Sequence, residues 1–190
     1  MSFLIASQGR SGTKWLATVL GCAHEEPDPH GIQHPLWNED FPIHRWRNGG
    51  PHYGECSGHL MRYLRPGYPG EEQEIDHKFC LFRDHRDIIR SWMNRDGHTE
   101  HDLPWIIKQV LENERFLQAL VQRNRFIPLQ LEELNIPENL RKLLDLLGMP
   151  RAVDHRDVRP VNKTIQPRWD WYPAAEEVYN HIAAKFEPRR

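Results

Sequence analysis

Two rhythms of apolar residues alternate along this chain. Short apolar runs at residues 3–6, 53–56, 79–82 and 126–131 have the length and composition of buried strands. Between them the apolar spacing lengthens to three and four. Trp15, Leu16, Val19 and Leu20 form one such stripe, Ile88, Ile89, Trp92 and Met93 a second, and positions 103, 106, 107, 110, 111, 117, 120 and 121 a long third. Each predicts an amphipathic helix. Ser57 is placed to cap a helix over 57–64 and Asp102 one over 102–123. Pro137 and Gly148 frame a helix over 136–148, and a last helix spans 174–186. Residues 21–26 read as one more very short strand, which would bring Glu25 and Glu26 to the sheet edge beside the turn before the first helix. Five short strands alternating with helices predict an α/β fold with a mostly parallel sheet and right-handed crossovers.

The turn at residues 7–14, Ser-Gln-Gly-Arg-Ser-Gly-Thr-Lys, carries the first candidate chemistry. A strand running into a helix leaves the first amide N–H groups of that helix without partners, and the helix dipole adds about half a positive charge there. An anion is the natural occupant. Gly9 and Gly12 permit close backbone approach, and Arg10 and Lys14 bring full charges. The spacing does not fit the nucleotide-hydrolase pattern, which puts four residues between its glycines and a Ser or Thr after its lysine. The plain alternative is a strand-to-helix turn with two stray basic residues.

The second candidate is residues 77–95. A core strand ends at Phe82, Arg83 follows it, and Asp84, Asp87, Ser91 and Arg95 share a face of the next helix. Arg83 and Ser91 would converge on one group. Such a face also reads as solvated and salt-bridged, with Asp87 paired to Arg83 or Arg90.

Composition narrows the rest. The 190 residues suit one domain, 1–190, and show no internal repeat. With 38% hydrophobic residues, seven tryptophans and a net charge of −2, the chain is neither disordered nor a bulk electrostatic binder of nucleic acid. No apolar run approaches the roughly 20 residues of a membrane span, so a cytoplasmic location is expected, with no membrane partner. Cys22, Cys56 and Cys80 suggest buried free thiols, without disulfide or zinc spacing. Residues 27–52, rich in proline, histidine and tryptophan, read as an irregular lid on the acceptor side. His30 and His34 lie at metal-ligand spacing, but the flanking prolines favour acceptor contacts, and no metal is expected.

The two candidate stretches, in this order and about 70 residues apart, resemble the PAPS-dependent sulfotransferases, in particular the bacterial and tyrosylprotein types. Their 5′-phosphosulfate loop runs Lys/Arg-Ser-Gly-Thr-Thr before Trp or Leu. Arg10, Ser11, Gly12, Thr13 and Trp15 match it, with Lys14 for the second Thr. Their 3′-phosphate motif, Arg-Asp-Pro-Arg-Asp followed by Ser, is matched from Arg83 to Ser91 with His85 for the proline, and Arg95 falls where some members place another phosphate contact. Residues 158–164 with Trp169 are similar to a cofactor-closing loop spanning 156–172, which would enlist Arg159, Asn162, Lys163 and Thr164; an ordinary basic surface loop is the alternative. Leu131 replaces a tyrosine that helps hold adenine in some members.

The resemblance implies a P-loop-like three-layer sandwich around a five-stranded sheet. It implies transfer of a sulfuryl group from PAPS to a hydroxyl or amine of a small-molecule, carbohydrate or peptide acceptor, releasing adenosine 3′,5′-bisphosphate. Arg10 would neutralise the leaving oxygen, Lys14 would reach the sulfonate, Trp15 would lie on the adenine, and Glu25 would be the base. Glu26, His24 and His30 are its rivals, with Glu26, His30 and His34 facing the acceptor. Glu25 could instead pair with Arg10 or Lys14 and only organise the loop. A P-loop kinase and a non-catalytic nucleotide-binding protein are the alternatives to the whole.

Overall fold

Five consecutive buried residues, Phe3–Ser7, form β1, and a strand buried on both faces requires helices above and below it. The computed structural model describes residues 3–22, 24, 54–58, 64, 75–95, 98–123, 126–149 and 169–186. Within it β1 pairs in parallel with β2 (Gly54–Ser57) on one side and with β3 (His77–Phe82) on the other. β3 pairs in parallel with β4 (Ile127–Gln130), giving the order β2-β1-β3-β4. The described helices are α1 (Thr13–Leu20), α2 (His85–Arg95), α3 (Leu103–Gln122), α4 (Leu131–Leu134), α5 (Pro137–Leu146) and α6 (Pro173–Ala183).

The two-residue period of the strands sorts the core into layers. Phe3, Ile5, Phe79 and Leu81 pack with Leu16, Val19 and Leu20 of α1 and with Leu140, Leu143 and Leu144 of α5. The intervening Leu4, Ala6, Cys80 and Phe82 pack with Leu117 and Leu120 of α3 on the other face. Helix, sheet and helix thus form three layers, and each fully buried Leu or Ile contributes about 1.5–3 kcal/mol. Away from the sheet, α2, the first half of α3 and α6 share a further cluster around Ile88, Ile89, Ile106, Ile107 and Ala175.

The chain leaves β1 for β2 and then returns to the far side of β1 for β3. That reversal makes a crevice at the carboxyl ends of β1 and β3, the place where open α/β sheets bind ligands. Ser7 lies beside Leu81 in the register, so the two candidate stretches leave the sheet side by side.

Several expectations change. The sheet has four strands among the described residues, because Gly21 does not start a strand. It closes α1 in the left-handed region (φ 63°), with the Gly21 and Cys22 N–H groups donating back to Thr18 and Ala17. Asp102 does not cap α3; its carboxylate accepts from the Thr99 N–H at 2.8 Å and closes a 3-10 turn, Glu100–Asp102, ahead of that helix. Leu131 opens α4 instead of ending the strand. Cys56 and Cys80 are buried free thiols and Cys22 is partly buried; burial pushes the Cys80 thiol up to about 12. The expected helix over 57–64 falls largely outside the described residues.

Candidate functional site

The loop between β1 and α1 turns on two left-handed residues. Gly12, the N-cap of α1, has φ 85°, and Arg10 has φ 70°, the one positive φ at a non-glycine residue among those described. A non-glycine residue there costs roughly 1–2 kcal/mol, so neighbouring groups must hold it. They do so from α2. Arg83, at the end of β3, donates to the Arg10 carbonyl at 2.9 Å, and the Trp92 indole donates to the Gly9 carbonyl at 3.4 Å. In return Arg10 Nε donates to Ser91 Oγ at 2.9 Å. Both carbonyls point at α2, so the planar trans peptides aim the N–H groups of Arg10 and Ser11 the other way.

Inside the loop the hydroxyls are already assigned. Ser7 and Ser11 both donate to the Gln8 carbonyl, at 3.0 and 2.8 Å, and both are fully buried. Thr13, at the first helical position, is hydrogen-bonded through Oγ1 to His24 Nε2 at 3.0 Å. Gly12 is also a close-packing point, since a Cβ there would lie 2.8 Å from Leu131 Cδ2. Leu131, in the place of the family tyrosine, therefore packs on the phosphate loop. Lys14 is exposed on the first turn of α1, while Trp15 is partly buried against the α1–α5 core. That packing commits part of the ring expected to lie on adenine.

The second stretch is built on charge. Asp84 caps α2 by accepting from the Arg86 and Asp87 N–H groups at 2.8 and 3.3 Å, and its own N–H donates to Glu132 at 3.2 Å. Asp87 pairs with Arg83 at 3.5 Å and with Arg90 at 2.6 Å. The salt-bridged reading of this face is thus present together with the arginine that reaches the loop. Arg95 is exposed in the last turn, one turn beyond Ser91 on the same face. His85, in the place of the family proline, joins three helices: Nδ1 meets Tyr179 Oη at 2.8 Å and Nε2 pairs with Glu114. Arg86 makes a two-point pair with Glu176 at 2.6 and 3.0 Å and lies over the rings of Trp171 and Tyr179. The hydrogen bonds from Arg86, then from Trp171, hold the Glu176 carboxyl down at about 2.

The structure therefore brings Arg10, Arg83 and Ser91 into one hydrogen-bonded group, with Ser11, Gly12 and Thr13 at its side. Glu25, Glu26, His30, His34, Arg159, Asn162, Lys163 and Thr164 lie outside the described residues. Sequence reasoning missed Trp92, which it read as core, and the His24–Thr13 contact. It also missed the role of Leu131 against Gly12. The chirality of the loop and the approach of α2 decide all three, and neither has a local signal.

No protein-family model matches the chain. Its fold is that of a crystal structure of a sulfotransferase from Alicyclobacillus acidocaldarius, with a TM-score of 0.54 over 97% of this chain and 93% of that one at 14% identity. The class defined is thus a sulfotransferase-like α/β fold. In sequence the chain is 29% identical over 120 residues to human ATP-binding cassette sub-family A member 6; this stretch is 63% of the chain and spans only 7% of that protein's length. Among the described residues no helix is long and apolar enough to cross a membrane.

Proposed function

We propose that this protein is a PAPS-dependent sulfotransferase, moving a sulfuryl group to the hydroxyl or amine of an acceptor and releasing adenosine 3′,5′-bisphosphate. One observation carries the reading: the two stretches that resemble the 5′- and 3′-phosphate motifs meet through the Arg10–Ser91 and Arg83–Arg10 hydrogen bonds at the switch point of the sheet. A structural pair of unrelated turns has no need of that convergence. The donor set also fits a nucleotide with two separated phosphates. The first-turn N–H groups of α1 suit one, and Arg83 with Ser91 suits the other.

In the reaction a sulfur–oxygen bond to the 5′-phosphate breaks, a bond from sulfur to the acceptor forms, and the acceptor's proton goes to a base. The donor supplies an activated sulfuryl group, and the chain supplies position and charge. Arg10 would exchange its Ser91 contact for the leaving oxygen. The loop amides and Thr13 would hold the 5′-phosphate, and Lys14 would face the sulfonate. Glu25 remains our choice for the base, with a cytoplasmic setting and no metal ion.

Calorimetric titration tests the reading. The wild-type protein should prefer adenosine 3′,5′-bisphosphate to adenosine 5′-monophosphate and to ATP-Mg²⁺. Arg83→Ala and Ser91→Ala should each weaken the bisphosphate about tenfold while leaving the monophosphate nearly unchanged, since charge-assisted contacts are worth roughly 1.5–3 kcal/mol. A preference for ATP-Mg²⁺ would replace this function with a kinase or ATP-binding one.

A further inference from the structure

His24 enters the sequence as one of several candidate bases, and its position gives it different work. Its Nε2 lies 3.0 Å from Thr13 Oγ1, at the first residue of α1. A threonine hydroxyl has a single proton and two acceptor lone pairs. If the imidazole accepts from Thr13, that proton is spent between the two side chains. If the imidazole donates, Thr13 accepts there and its proton is left to turn elsewhere.

The rest of the loop makes that choice matter. Ser7 and Ser11 send their protons to the Gln8 carbonyl, so neither hydroxyl has a donor to offer an anion. Thr13 is the hydroxyl of residues 7–13 whose proton is not already on a backbone carbonyl. It is also 6% exposed, so water does little to compensate a wrongly aimed proton.

We propose that His24 is a positioning residue: its Nε2–H donates to Thr13 Oγ1 and thereby aims the threonine proton at an anionic oxygen held at the N-terminus of α1. This rests on the sulfotransferase reading only for the identity of that anion, the 5′-phosphate. His24 then does not touch the nucleotide, and it is not the base. The chain of donors runs from imidazole to hydroxyl to phosphate, each link fixing the direction of the next. The same chain steadies the phosphate oxygen as charge builds on it during transfer.

The test uses the full chain and three probes: adenosine 3′,5′-bisphosphate, adenosine 3′-monophosphate and inorganic pyrophosphate. His24→Ala should weaken the bisphosphate about tenfold, the scale of a hydrogen bond to a charged group, and leave the 3′-monophosphate within about twofold. His24→Gln, whose amide N–H can donate from a similar place, should restore most of the loss. Thr13→Ala should lose as much as His24→Ala, and the double variant no more than either, because the two act as one unit. Thermal melts that match wild type exclude misfolding as the cause. Equal losses for both nucleotides, failure of the Gln variant to rescue, or additive losses would each overturn the proposal. Pyrophosphate separates it from the reading on which it leans. A wild type that ignores the bisphosphate yet holds pyrophosphate in a His24-dependent way sinks the sulfotransferase and keeps the relay. A wild type that holds none of the three sinks both.

Discussion

In the loop between β1 and α1 the polar groups are taken out of water and answered by backbone. Ser7, Gln8, Ser11 and Thr13 are at most 6% exposed, and the carbonyls of Gln8, Gly9 and Arg10 each accept a side-chain donor. On α2 the arrangement is the opposite. Arg83, Arg86, Asp87 and Arg90 are 22–46% exposed and are answered by one another or by Glu176. Buried, directional bonds fix a geometry and transmit any error in it to the fold. Exposed ion pairs contribute little to stability and exchange partners at little cost. The loop is therefore a pre-built cradle, and the α2 face is a set of charges free to re-pair when a ligand arrives.

That contrast breaks first at Gly12. An alanine there must keep φ near 85° and place its Cβ 2.8 Å from Leu131 Cδ2. The backbone term costs roughly 1–2 kcal/mol and the overpacking roughly 1–3 kcal/mol. Chemical denaturation should show Gly12→Ala destabilised by about 3 kcal/mol, and Gly12→Ala/Leu131→Ala less destabilised than the sum of the single variants. A loss below about 1 kcal/mol would mean that the loop yields, and that the cradle is not pre-built.

Arg10 gives a smaller effect of the same kind. Arg10→Ala and Arg10→Gly both delete the guanidinium that donates to Ser91, so they should lose turnover alike. They differ in strain. Glycine relieves the left-handed penalty but adds freedom to the unfolded chain, so the Gly variant should be more stable than the Ala variant by about 0.5–1 kcal/mol. Equal melting curves would show that φ 70° at this residue stores nothing.

The same contrast explains what could be read from the chain. Runs such as residues 3–6 and 79–82 announced β1 and β3 because a strand buried on both faces has no polar positions to blur it. The stripes of α1, α2 and α3 were equally plain. The glycines and Ser11 pointed to the loop, since its demands are local. Gly21 misled because a helix-closing glycine before Cys22 and Ala23 has the composition of a strand start. Asp102 misled because the carboxylate that caps a helix equally well closes the turn before it. What joins the halves of the site, Trp92 on Gly9, Arg10 on Ser91 and Leu131 on Gly12, depends on β1 and β3 being neighbours. No spacing within either stretch encodes that.

The smallest effect belongs to the exposed charges and tests the other side of the comparison. Glu176 is a third exposed, accepts from Arg86 and from the Trp171 indole at 2.5 Å, and so ties α6 to α2. Its carboxyl is held at about 2 against an ordinary 4.5. A depressed carboxyl stabilises the fold fully above its unfolded value and loses that contribution as pH falls through its folded value. The docking of α6 should therefore be constant from neutral pH down to about 4.5 and weaken between there and about 2. Arg86 stays charged throughout that window, so protonation of Glu176 alone breaks the pair. The Trp171 indole N–H resonance reports it directly: in wild type it should shift across this window, and in Glu176→Gln it should not. High salt should weaken the exposed part of the pairing. Because the loop's bonds are buried and separate from this pair, Glu176→Gln should leave nucleotide affinity within about twofold. A nucleotide loss as large as that of Arg83→Ala would show that the α2 face and the loop are one rigid unit, and the division between cradle and adjustable charges would fail.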